Sequence, residues 1–176
     1  MVKQCVAGEE KGYAMLYNKY SKRIYHAVFR VMGNTAESED IVQEAFCTAF
    51  EQIGNLKNQN NFEGWVKRIA LNQAISALRK KKMVFADDSQ LETVADEEVD
   101  ISEELLFQCQ VDDIKKAIAD LPDGYRTIVS LHLFEDIGQE EIGRMLGINH
   151  TTVRSQYHRA KKKIFTALKD KAYYGT

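Results

Sequence analysis

Residues 139–159 read Gln139-Glu140-Glu141-Ile142-Gly143-Arg144-Met145-Leu146-Gly147-Ile148-Asn149-His150-Thr151-Thr152-Val153-Arg154-Ser155-Gln156-Tyr157-His158-Arg159. Two helical periods flank Gly147, which is the pattern of a helix-turn-helix. Ile142 and Leu146 give the first helix an apolar side. Gly143 is small where two helices must approach closely. Gly147 suits a turn that requires positive φ. Ile148 tucks under that turn, and Asn149 caps the second helix. That helix runs from about His150 to Leu168, with Val153, Tyr157, Ala160 and Ile164 facing a core. Thr151, Arg154, Ser155, His158, Arg159 and Lys162 are left on its outer face. Hydroxyls and lysines on such a face hold phosphates, while arginine reads guanine bidentately in the major groove. The tail from Arg154 through Lys171 is basic, which favours DNA. An ordinary helical hairpin with a solvated basic face is the other reading.

Upstream, the chain reads as helices throughout. Ser102 caps a helix carrying Glu103 and Glu104 in its first turn and Leu105, Cys109, Ile114, Ile118 and Leu121 at helical spacing. Pro122-Asp123-Gly124 is a turn, and Tyr125 to Phe134 is helical in pattern. Near the N-terminus a helix spans about Glu9 to Met32, with Leu16, Tyr20, Ile24 and Val28 on one stripe. Gly33-Asn34 ends it, and Thr35 caps the next helix, with Glu37 in its first turn. Ile41, Ala45, Ala49 and Ile53 lie four apart beside the row Val42, Phe46 and Phe50. Gly54 stops that helix. A polar loop, 55–61, leads to a third helix starting at Phe62, with Asn61 as cap, and ending in Arg79-Lys80-Lys81-Lys82. One proline and ten glycines leave little room for an all-β fold. The expected class is all-α, as two small helical domains, 1–83 and 103–176, joined by an acidic linker, 84–102.

Charge supports that division. The chain has 176 residues and a net charge of −2. Residues 1–83 carry a net +5, residues 84–113 a net −11 with no base, and residues 114–176 a net +4. Two basic lobes around an acidic connector suggest a polyanionic partner for the lobes. No apolar run reaches the ~18–20 residues of a membrane span, so no membrane insertion is expected. No apolar segment near Met1 resembles a signal peptide, so a cytoplasmic location is expected. Cys5, Cys47 and Cys109 have neither disulfide-framework nor zinc-ligand spacing. His26, His132, His150 and His158 form no metal-binding pair. Without a nucleophile–base pair, phosphate loop or metal set, the sequence predicts neither an enzyme nor a cofactor.

The helix around residues 39–51 presents Asp40, Gln43 and Glu44, with Cys47 and Glu51 nearby. Phosphate repels an acidic face, so this surface meets a protein or only solvent. The third helix combines Trp65, Arg68, Asn72, Arg79 and Lys80. Amides dock base edges and cations hold the backbone of single-stranded nucleic acid, and Asn58, Gln59, Asn60 and Asn61 line up four amides in the loop before it. A plain connector accounts for that loop too. Trp65, spaced between Phe62 and Ile69, suits a core position, and Lys80–Lys82 suits a solvated helix end.

The run Glu39-Asp40-Ile41-Val42-Gln43-Glu44-Ala45-Phe46 resembles the polymerase-binding signature of bacterial sigma factors. Phe62, Trp65, Arg68-Ile69-Ala70, Asn72, Ala74 and Leu78-Arg79 resemble the helix that follows it. Leu121-Pro122, Tyr125-Arg126 and the helix-turn-helix resemble sigma region four. Nearly the whole chain is covered, in the order of the smallest, two-domain kind, the extracytoplasmic-function (ECF) sigma factors of the sigma-70 family. The resemblance implies a factor that binds core RNA polymerase and directs it to promoter DNA. Asp40, Gln43 and Glu44 would meet the polymerase clamp. Asn58–Asn61, with Arg68, Asn72, Arg79 and Lys80, would hold an unpaired base and the strand of the minus-ten element. Thr151, Arg154, Ser155, His158, Arg159 and Lys162 would face the minus-thirty-five duplex. An anti-sigma factor is a candidate further partner. A stand-alone helix-turn-helix regulator on a duplex operator is the alternative. Three positions depart from the family: Ser76 replaces a usual aspartate, Gly138 a usual Ser or Thr cap, and Gln156 a usual basic residue.

Overall fold

A left-handed glycine separates the two helices that begin the N-terminal core. Gly33 has φ 67°, and its N–H donates to the Phe29 carbonyl at 2.8 Å, closing α2 (Glu10–Met32) before α3 (Thr35–Glu51). The computed structural model describes residues 1–81 and 111–174. The chain divides into units Met1–Lys82 and Met83–Thr176. Among the described residues every regular element is helical.

In the first unit α2 and α3 pack with α4 (Phe62–Lys80), and a short α1 (Val2–Val6) lies against α2. The predicted stripes supply the buried side chains, with Tyr20 and Phe50 only half-buried at their edges. Leu16, Ile24 and Val28 of α2, Ile41, Val42, Ala45, Phe46 and Ala49 of α3, and Phe62, Val66 and Leu78 of α4 form the core. Each large side chain buried there contributes about 1.5–3 kcal/mol of transfer free energy. Trp65 is not a core residue. It is half-buried at the rim, edge-on to Phe62 at 6.2 Å.

Two local expectations are corrected, and a third holds only in position. Asn34, not Thr35, caps α3: its extended backbone lets Oδ1 accept from the Glu37 N–H at 3.0 Å, and Thr35 is already helical. Gly54 does not stop α3, which ends at Glu51; a 3₁₀ turn, Ile53–Asn55, then keeps Ile53 buried. Asn61 is the N-cap of α4, as expected, but makes no side-chain cap bond, because its φ and ψ of −100° and 23° depart from the extended cap geometry. Its carboxamide instead lies against Gly64, where an added Cβ would sit 2.7 Å from Oδ1. α1 was not foreseen.

In the second unit α5 (Val111–Ala119), α6 (Asp123–Leu133) and α7 (Gln139–Leu146) pack on α8 (His150–Tyr174). Ile118, Leu121, Val129 and Ala160 form a buried cluster with Ile114, Tyr125, Tyr157 and Ile164 against it. Pro122-Asp123-Gly124 is not a free turn. Pro122 is the N-cap of α6, its carbonyl accepting from the Arg126 N–H at 2.9 Å, and Asp123 and Gly124 form the first helical turn. Arg126 is buried, donates to the Leu121 carbonyl at 3.1 Å and pairs with Asp123. The Ser102 cap, Leu105, Cys109 and the acidic linker lie outside the described residues.

Candidate nucleic-acid and protein interfaces

The helix-turn-helix is built by close backbone approach. Gly147 has φ 71° and closes α7 by donating to the Gly143 carbonyl. The Ile148 N–H donates to the same carbonyl at 3.0 Å. A Cβ on Gly143 would lie 3.0 Å from the Ile148 carbonyl oxygen, so the turn backbone would have to give by a few tenths of an ångström to admit one, while the positive φ of Gly147 favours glycine directly. Asn149 Oδ1 accepts from the Thr151 N–H at 3.2 Å, the predicted cap. Gly138 begins α7 with no side-chain cap. A ring nitrogen of His132 donates to the Ile137 carbonyl at 2.9 Å, and the ring stands edge-on to Tyr157 at 4.9 Å. This pair fastens the loop before α7 to the inner side of α8. Burial pushes the Tyr157 hydroxyl pKa upward, so the phenol stays neutral.

On α8 Val153 and Ala160 are fully buried, with Tyr157 and Ile164 half-buried beside them. Thr151, Arg154, Ser155 and Lys162 are exposed on the other side. His158 and Arg159, expected with them, are half-buried. Gln156 is 4% exposed, so its departure from a basic residue lies inside the fold, away from the exposed row.

In the N-terminal unit Asp40, Gln43 and Glu44 are exposed together on α3, along with Cys47 and Glu51. The row continues without a large apolar side chain, as a solvated or polar-docking face would. Arg68, Asn72, Ser76 and Lys80 lie four apart on α4, all exposed, with Arg79 beside them. The Ser76 departure therefore falls within this row.

Asn58, Gln59, Asn60 and Asn61 are exposed in the loop before α4. Gln59–Asn61 form a 3₁₀ turn capped by Asn58, whose Oδ1 accepts from the Asn60 N–H at 3.0 Å. The Asn61 N–H donates to the Asn58 carbonyl at 3.0 Å. Asn58 therefore spends one acceptor on the turn itself. Composition could not reveal which of four adjacent amides does so. Gly64, against which Asn61 is seated, was also missed; only its place in the first turn of a helix after an Asn hinted at it. Among the described residues, no group of three or more His, Cys, Asp or Glu side chains is placed to hold a metal ion. No described helix is long and apolar enough to cross a membrane.

Comparison with known proteins accounts for both units. A family model for Sigma-70 region 2 matches residues 16–83, and one for Sigma-70, region 4 matches residues 112–164. The chain is 32% identical to the ECF RNA polymerase sigma factor SigW of Bacillus subtilis, covering 96% of this chain and 95% of that one. It is 30% identical to RNA polymerase sigma factor SigV of the same organism, over 81% and 82% of the two chains. Its fold is similar to the sigma factor RpoE of Bartonella quintana, solved in complex with the anti-sigma factor NepR. The TM-score is 0.53 at 20% identity, over 90% and 98% of the chains.

Proposed function

The chain belongs to the ECF sigma factors of the sigma-70 family, and from that membership we propose how its faces divide the work. Residues 1–83 act as region two, 84–102 as linker and 103–176 as region four. The exposed α3 row of Asp40, Gln43 and Glu44 docks on core RNA polymerase. The loop Asn58–Asn61 takes an unpaired minus-ten base, and Arg68, Asn72, Arg79 and Lys80 hold the strand beside it. Thr151, Arg154, Ser155 and Lys162 of α8 enter the minus-thirty-five groove, flanked by His158 and Arg159.

The observation that carries this reading is the segregation of charge on one chain. An acidic row on α3 repels DNA, while rows on α4 and α8 bring bases and amides outward. A factor that joins a protein to DNA needs both. The protein makes and breaks no covalent bond in this role. It lends polymerase specificity and traps melted DNA, in the cytoplasm where polymerase works. An anti-sigma factor is a further proposed partner, by likeness to the factor solved with NepR. Run-off transcription tests the proposal: core polymerase should start at a cognate promoter only when the protein is added. Failure to co-elute with core polymerase, with retained binding to an operator duplex, would indicate a stand-alone regulator.

A further inference from the structure

The amide loop hangs between two aromatic residues, Phe50 in the last turn of α3 and Phe62 at the start of α4. Their rings stack, 15° apart in plane with centroids at 6.4 Å. Phe62 is buried. Phe50 is only half-buried; Phe46 packs against it at 5.6 Å, and Tyr13 of α2 meets it edge-on at 4.9 Å. The Tyr13 hydroxyl in turn donates to the Cys5 carbonyl of α1 at 2.9 Å. The same carbonyl accepts from the Gly8 N–H at 2.9 Å, where the chain turns back at φ 78°.

α1 is thereby held against the body by side chains that are out of solvent, Val2 and Cys5. It also packs against the turn Ile53–Asn55, from which the loop departs, and Ile53 is buried. The seat for α1 is cut to fit. A Cβ on Gly12 would lie 2.8 Å from both the Cys5 backbone nitrogen and the Gln4 Cβ. Backbone cannot yield as a flexible side-chain tip does, so an alanine there must displace α1.

We propose that Tyr13 is a positioning residue for minus-ten recognition, tying α1 to Phe50 and so fixing the root from which Asn58–Asn61 present their amides. This rests on the reading that the loop holds an unpaired base. Its role is geometric: a two-ended amide contact to a base edge discriminates only while both ends stay in register.

The test uses the full chain and its holoenzyme with core polymerase. Tyr13→Phe removes one hydroxyl, and Gly12→Ala displaces α1. A third variant, Asn58→Ser with Gln59→Gly and Asn60→Ser, alters the loop directly. In the first two, hydrogen exchange should quicken at the Leu56, Asn60 and Asn61 amides, which are bonded within the loop. Selection from a duplex promoter library should lose about tenfold of its minus-ten base preference, the size of one lost two-point contact. Core affinity and minus-thirty-five preference should hold. Loop amides exchanging at the wild-type rate overturn the proposal. So does an equal loss of activity on every promoter with base preference intact, the mark of simple destabilisation. If the loop variant loses preference while Tyr13→Phe and Gly12→Ala keep it, positioning by Tyr13 is wrong and base capture stands. If the loop variant keeps it, base capture is wrong and Tyr13 has no such role. Should Gly12→Ala fail to fold, Tyr13→Phe decides.

Discussion

At position 64 a single hydrogen in place of a methyl group leaves room for the Asn61 carboxamide. Replacing Gly64 by alanine sets two effects against each other. Helix propensity favours alanine by about 1 kcal/mol, and the neighbour that must give way is a side-chain tip on an exposed residue. The expected Gly64→Ala protein melts no lower than wild type, yet shows an altered minus-ten base preference in a promoter-library selection. Thermal unfolding and that selection, run on the same preparation, check both halves. On α8 the separation is between reading and holding. Arg154→Ala should cost about 1–3 kcal/mol at one upstream base pair and relax specificity there. Lys162→Ala should weaken all sequences alike and flatten the salt dependence. Equal losses on every upstream sequence for both variants would exclude base reading by Arg154.

Elements respond to charge and caps more than to single contacts. Reversing the α3 row with Asp40→Lys plus Glu44→Lys exchanges one like-charged i,i+4 pair for another, so helix stability changes little. Both residues are exposed, and the fold should move by less than about 0.5 kcal/mol. Core polymerase binding in a pull-down should nevertheless fall, and core should shield exposed Cys47 of the same row from alkylation in the wild-type protein. Cys5 makes an internal control. It is buried, and burial raises its pKa, so it resists alkylation in the folded protein. The folded state also keeps that thiol's proton to higher pH than the unfolded state, so this contribution to stability is lost as pH rises above the ordinary thiol range. At the start of α7, Gly138→Ser should add the missing cap. Its φ of −64° suits any L-residue, and no atom lies within 4 Å of an added Cβ. A gain of about 0.5–1 kcal/mol in thermal unfolding is expected from the cap and the stiffer unfolded chain. The same elements show how far sequence carries. The rows on α2, α3 and α4 and the Gly143–Gly147 turn were legible because burial imposes a period and positive φ imposes glycine. The cap falls on Asn34 and not Thr35 because neighbouring residues share the chemistry and backbone angles choose between them, and for the same reason Asn61 holds the cap position of α4 without making the side-chain bond. α1 was invisible because five residues carry no period, and the half-burial of His158 and Arg159 depends on packing that no local pattern records.

For the whole molecule, the supply of core among the described residues of each unit has a thermodynamic consequence. Among the described residues, the largest fully buried side chains of the N-terminal unit include Phe46, Phe62, Leu16, Ile24, Ile75 and Leu78, whereas the C-terminal unit supplies Ile128, Leu131 and Ile142. Small units bury a low fraction of their surface and are marginal, so the unit with fewer large side chains should unfold first. We expect two calorimetric transitions in the full chain, the lower belonging to the helix-turn-helix unit. Fragments 1–83 and 103–176 should each unfold cooperatively near the corresponding transition, which tests the proposed boundaries directly. Ligand linkage then assigns the transitions without fragments. On the proposed assignment a duplex carrying the upstream element should bind only folded α8, and at about 100 times its dissociation constant should stabilise that unit by about 2.7 kcal/mol. It should raise the lower transition and leave the upper one in place, and that shift should shrink as salt rises, since phosphate contacts release counterions. A single transition, raised as a whole by the duplex, would mean that the two units fold as one and that the division at residues 83 and 103 is misplaced.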